Sequence, residues 1–174
     1  MKNLISTRAF GAAFAAAGLA VSMAPLGAHA EATFSTRSLV AELANKAAMA
    51  ALEACRKEGF QVGVAVTDRS GVLQAFVRDR FAGAHTVEIA TDKAWTAASF
   101  RMTTAMLADE TQAGKPMSGI RAGSRVMPIG GGVPIEAGGS TIAAIVVSGA
   151  PGGDADERCA RAGIEAIEMD IELQ

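Results

Sequence analysis

The sequence predicts an α+β domain with a mostly antiparallel sheet and helices on both faces. Three observations predict it. Two turn signals, Asp68-Arg69-Ser70-Gly71 and Gly138-Gly139, each join a pair of short runs with strand character. Stretches with helical spacing of apolar residues precede, separate and follow those hairpins. The order is therefore helix, two strands, helix, a short strand, a hairpin and a helix, without the strict alternation that a parallel sheet needs.

Met1 to Ala30 stands outside that pattern. Lys2 and Arg8 give it a positive start, Ala9 to Met23 is small and apolar, and Ala28-His29-Ala30 fits an A-x-A cleavage site. The expectation is a secretory signal peptide over 1–30, a secreted or periplasmic product, and no membrane anchor after cleavage, because the apolar run is too short and Ala/Gly-rich. The remaining 31–174 reads as a single domain. Loss of Lys2 and Arg8 lowers the 16 basic residues to 14 against 18 acidic, net −4. No basic nucleic-acid patch follows from that balance.

The first helix is expected over Thr36 to Lys57, capped within Ser35-Thr36-Arg37-Ser38. Leu39, Leu43, Ala47, Ala50 and Ala54 form its apolar stripe. Gly59 ends it, where a left-handed residue costs least in glycine. Gln61 to Thr67 is a strand with a large face, Val62, Val64 and Val66, and a small face, Gly63 and Ala65, which a helix can approach closely. After the Asp68–Gly71 turn, Val72 to Val77 is the returning strand. A second helix is expected from His85 to Leu107. Ala90, Ala94, Ala97 and Ala98 make its smooth face, while His85, Ile89, Lys93 and Thr96 share another stripe. Glu110 to Arg125 reads as a loop with a helical turn, and Val126 to Ile129 as a short strand.

Val133 to Ala137 and Thr141 to Ser148 flank Gly138-Gly139, a pair suited to a type I′ turn. The second strand is so apolar that both of its faces should be buried. Gly149 to Gly153 breaks it, and Asp154 is expected to cap a helix to Glu172, with Glu157 as its capping-box partner. A strand, a glycine loop and a helix also suggest a dinucleotide site. The spacing matches neither G-x-G-x-x-G nor the P-loop, and Asp154, Asp156 and Glu157 at the helix start would repel a phosphate.

Three segments together resemble the GlcG/HbpS family of haem-binding-protein-like domains, related to the PduO C-terminal type. They are Val64-Ala65-Val66-Thr67-Asp68 with Gly71; Ala84-His85-Thr86 through Ile89-Ala90, Lys93-Ala94 and Thr96-Ala97; and Gly131 to Ile135 through Val147-Ser148-Gly149-Ala150, Asp156-Glu157, Cys159 and Ala162-Gly163. The resemblance implies a profilin-like three-layer α/β/α fold with a five-stranded, mostly antiparallel sheet, and a homo-oligomer. It implies haem or another tetrapyrrole as ligand, since some secreted members bind haem, in sequestration or sensing. Fold similarity constrains function far less than fold.

With His29 lost in the signal segment, His85 is the only histidine left, and the chain has no Tyr. His85 is thus the candidate iron ligand, with packing at a helix start as its bland alternative. One histidine and two separated cysteines make no zinc set. Lys93, two helical turns on, is a candidate for a haem propionate or else a solvated surface lysine. Arg78 and Arg101 are candidates for an anionic ligand group. The resemblance places Thr104 near the ligand, with Thr103 standing where the family often has proline. Met102, Met106, Met117 and Met127 are expected to fill core, line an apolar pocket or supply a second axial sulfur, and the Met-rich segment after Phe100 is expected to cover part of a bound haem ring. No catalytic residue is assigned. Asp79 and Glu88 flank the His85 loop without a spacing that makes an acid–base set. The competing functions are a small enzyme or accessory protein acting on a carboxylate or aromatic metabolite, and a structural oligomer without ligand. Cys55 and Cys159 are the only two cysteines. An oxidising compartment would let them pair, if the resembled fold brings the terminal helices to one face. Otherwise each is a small buried residue.

Overall fold

The computed structural model describes residues 32–172. Its elements all fall within the unit that begins at Ser35. They are α1 (Ala41–Lys57), β1 (Gly63–Asp68), β2 (Leu73–Arg78), α2 (Thr86–Phe100), α3 (Thr104–Glu110), a 3-10 turn (Ser118–Ala122), β3 (Gly132–Ala137), β4 (Ser140–Ser148), α4 (Gly153–Glu165) and α5 (Glu168–Glu172). The expected signal segment lies outside the described residues.

The strands form one sheet in the order β2-β1-β4-β3, antiparallel throughout. Central β1 and β4 carry the apolar runs. On one face Val62, Val64, Val66, Ile135, Ile145 and Val147 pack against α1 and α4. On the other, Ala65 and Val146 pack against Ala90 and Ala94 of α2. The small face of β1 does admit α2 closely: a Cβ on Gly63 would lie 2.8 Å from Thr86 Oγ1. Gly138 and Gly139 both take positive φ, 57° and 73°, as a type I′ turn demands.

The sheet has four strands, not five. The segment expected as a strand over Val126–Ile129 is held by α2 instead. Thr96 Oγ1, which has Asp92 O at 2.7 Å and Arg125 O at 3.1 Å as acceptors for its one proton, accepts from the amide of Met127 at 3.0 Å. A side chain thus takes a backbone amide that a ladder would have used.

Three helix boundaries also differ from expectation, the first through a tertiary contact and the other two through local backbone and capping geometry. Leu39 N–H donates to Ile142 O at 3.2 Å, where a helix from Thr36 would have bonded it to Ser35 O, so α1 starts later, and its buried residues are Ala44, Ala47, Ala48, Ala51, Leu52 and Cys55. The expected second helix splits at Arg101, which is left-handed at φ 53°. Thr103 then caps α3 by accepting from Met106 N–H at 3.2 Å. The last helix divides into α4 and α5, and its N-cap is Gly152 with no side-chain cap, not Asp154. Glu157 pairs with Arg161 on the helix surface rather than closing a capping box.

Cys55 of α1 and Cys159 of α4 are joined by a disulfide, with their Cα atoms 5.4 Å apart.

Candidate functional site

The residues singled out from sequence lie along α2 and at both of its ends. Sixteen residues separate His85 from Arg101, so about 24 Å of helix axis lies between the two ends.

The loop from Asp79 to Thr86 presents His85. Several bonds tie it to itself and to Val62, just before β1. Asp79 N–H donates to Val62 O, Ala82 N–H to Asp79 O, and Thr86 Oγ1 to Gly83 O. The Arg78 guanidinium donates to Ala82 O. Asp79 is 3 % exposed and accepts from Arg56 Nε at 2.9 Å and Nη2 at 2.6 Å, all on one carboxylate oxygen. That bond raises the Arg56 guanidinium further above its usual value. The other oxygen, Oδ2, is buried with no partner. The His85 ring lies so close over Gly83 that any Cβ there would clash with it. Glycine at 83 is therefore what lets the imidazole settle on the loop. His85 itself is exposed, and so is Phe81 four residues earlier in the loop, which is 80 % exposed with the Arg80 guanidinium 6.0 Å from its ring centre.

Lys93 is neither a surface lysine nor open to a ligand. It is 1 % exposed, and Nζ donates to Val147 O at 2.7 Å and to Asp156 Oδ2 at 3.3 Å. The other Asp156 oxygen accepts from Ala150 N–H at 3.0 Å, closing the glycine loop before α4. Gly131, at φ 113°, lies against this pair: a Cβ would come within 2.6 Å of both Lys93 Nζ and Asp156 Cβ. Burial pushes the Lys93 ammonium below the usual lysine range, against the pull of Asp156. Burial likewise pushes the Asp156 carboxyl up, against Lys93 and the Ala150 amide.

Thr104 lies next to this cluster and is fully buried. Its Oγ1 accepts from Gly132 N–H at 2.9 Å. Lys93 and Thr104, picked as ligand contacts, thus meet around Gly131 and Gly132 and hold α2, α3 and α4 to the end of the sheet. Asp156 was read as part of an acidic helix start. Its inward turn has no local sequence signal, because the glycine that makes room for it, Gly131, is distant in the chain.

Arg101, Met102 and Met106 lie at the far end of α2 and line an open groove of about 420 Å³. The Met-rich segment therefore does not cover a ring ligated by His85. Among the described residues no cluster of His, Cys, Asp and Glu could hold a bare metal ion, and no helix is long and apolar enough to cross a membrane.

Among curated proteins none matches the chain. Solved structures do. HbpS of Streptomyces reticuli, crystallised as a double mutant, is 37% identical, with 83% of this chain and 97% of that one covered at a TM-score of 0.74. A PduOC:heme complex is 27% identical, with 75% and 95% covered at 0.70. The Klebsiella pneumoniae protein ORFY, 22% identical, covers 80% and 97% at 0.77 and supports the fold alone. The family model described as "Haem degrading protein HbpS-like" matches residues 39–165, and with the architecture above it makes the chain a member of the HbpS-like family.

Proposed function

We propose that this protein binds haem at the β2–α2 loop, with His85 as the axial ligand of the iron. One observation carries the reading: an exposed imidazole, seated over Gly83, and an exposed phenyl ring four residues before it on the same loop. The donor set fits the group. Neutral imidazole ligates haem iron, Phe81 offers an apolar face to the macrocycle, and Arg80 is a guanidinium within reach of a carboxylate at that edge. Bound haem would supply a redox-active iron with one protein ligand. The chain's own contribution is to fix the imidazole and to cover part of one ring face. A site this open suits sequestration or sensing. The family model and the PduOC:heme complex support haem as the ligand class. Lys93 and Thr104 take no part, since their polar atoms are spent inside the fold. Arg78 contributes by holding Ala82 O, which steadies the loop.

Haemin titration followed in the Soret region tests this. The wild type is expected to saturate at one haem per chain. His85→Ala should abolish or shift the band with unchanged far-UV circular dichroism, and Phe81→Ala should weaken binding by up to about tenfold, as loss of a stacked aromatic of about 0.5–1.5 kcal/mol implies. An unaltered spectrum in His85→Ala rules out the ligand assignment.

Export with cleavage after Ala30 belongs to the same proposal, and the mature chain is then expected to begin at Glu31 on N-terminal sequencing. So does self-association, supported by exposed Val72, Leu73, Ile129 and Met169. Light scattering that finds only monomer at micromolar concentration would remove it.

A further inference from the structure

The groove at the C-terminal end of α2 has no part in the haem reading. It is walled by Met102 of the α2–α3 turn, Met106 of α3, Val133 and Pro134 of β3, and Ile164 of α4. Its size falls within the range of small-molecule sites, roughly 300–1,000 Å³. Four polar groups interrupt the apolar walls: Arg101, Thr103, Glu136 and Arg161. Two are committed. Arg161 pairs with Glu157, and the Thr103 hydroxyl caps α3. Among the described residues the Arg101 guanidinium has no ion-pair or hydrogen-bond partner. Its backbone is fixed, left-handed at φ 53° with N–H donating to Ala97 O at 2.9 Å. The wall thus holds one uncommitted guanidinium on a defined turn.

The surroundings narrow the ligand. An added peptide strand is disfavoured, because β3 is the sheet's edge and carries Pro134, which has no N–H to give, and a bulge between Ile135 and Glu136. A polyphosphate is disfavoured by Glu136 in the wall and by Asp109 and Asp154 in the adjoining hollow, whose cations Arg158 and Arg161 are already paired with Glu58 and Glu157. What remains is a single negative charge on an apolar body. We propose that this groove binds a small aromatic monocarboxylate. The Arg101 guanidinium takes the carboxylate in two parallel N–H···O bonds. The thioethers of Met102 and Met106 pack the ring from one side, and Pro134 and Ile164 from the other. The proposal is independent of His85.

The test uses 2-naphthoate, titrated calorimetrically and by its fluorescence, with neutral 2-naphthamide as comparator. Saturable binding of one 2-naphthoate per chain is expected, with 2-naphthamide at least about tenfold weaker, because a charge-assisted pair is worth that much or more. Arg101→Asn, whose side chain tolerates the left-handed backbone, should weaken 2-naphthoate at least about tenfold. Arg101→Lys should restore part of the loss. Met106 is 58 % exposed, so Met106→Glu should fold and block the groove. His85→Ala should bind 2-naphthoate as the wild type does. The proposal is overturned by any of four results: no saturable binding to the wild type; equal affinity for 2-naphthamide; unchanged affinity in Arg101→Asn; or displacement of 2-naphthoate by haemin in the His85→Ala chain. A concentration-dependent dimer that Met106→Glu dissolves would also overturn it, by showing a second copy in the groove.

Discussion

Lys93 and Asp156 form the one ion pair buried at both partners among the described residues, and they show how much a single side chain can tie together. One ammonium spans α2, the end of β4 and α4. Removing one member of a buried pair leaves the other charge without compensation, at a cost of about 3–5 kcal/mol. Lys93→Met should therefore lower the stability found by urea denaturation by that amount. Lys93→Met with Asp156→Asn should lose clearly less than the two single losses combined. Simple additivity in that cycle would mean that the two groups do not interact. The pH dependence follows from the directions of the shifts. Asp156, raised in the fold, binds its proton more readily folded than unfolded. Its contribution therefore grows as pH falls through the raised value and is complete below 3.8, the ordinary value. Lys93, lowered in the fold, sheds its proton first, so its contribution grows as pH rises towards 10.5, the ordinary value. The stability margin of wild type over Asp156→Asn should widen from pH 7 towards pH 4. Parallel profiles would contradict the assignment.

At the scale of the elements, the break between α2 and α3 depends on a cap as well as a bend. Thr103→Ala removes the acceptor for Met106 N–H and should cost about 1 kcal/mol, read as a fall in thermal midpoint with the fold retained. This junction also marks where sequence reading runs out. Strand positions and both hairpins were legible, because alternation, glycine pairs and continuous apolar runs are local signals. The face of α2 made by Ala90, Ala94, Ala97 and Ala98 was legible for the same reason, and all four residues are buried. Apart from the local bend at Arg101 and the Gly152 cap, the misread features depend on partners distant in sequence. Thr96 removed a strand by taking a backbone amide, and Ile142 delayed the start of α1 by holding Leu39. Lys93 looked like a surface or ligand residue because its partner stands 63 positions away. His85 was legible as an accessible imidazole because a glycine-containing loop and a helix start sit beside it. Arg101 and the groove needed the return of β3 and α4 to become visible.

For the whole molecule, the disulfide clamps two helices that lie on the same face of the sheet. Closing 104 residues restricts the unfolded chain by about 4–5 kcal/mol in the chain-entropy treatment. Cys55→Ala with Cys159→Ala should fold, since both sulfurs sit in a packed apolar layer, but with a loss in the range of about 2–5 kcal/mol on denaturation. Free-thiol titration of the denatured, unreduced wild type should find none. Two thiols per chain would remove the bridge and its share of the stability.

That cross-link also sets an order on how the chain is made. Cys55 emerges during synthesis 104 residues ahead of its partner. For all that time it is a solitary thiol, and the bond can close only after every strand has appeared. With two cysteines in the whole sequence there is one intramolecular pairing to make. Oxidation therefore has no wrong register to escape from, and any disulfide-linked by-product must join separate chains.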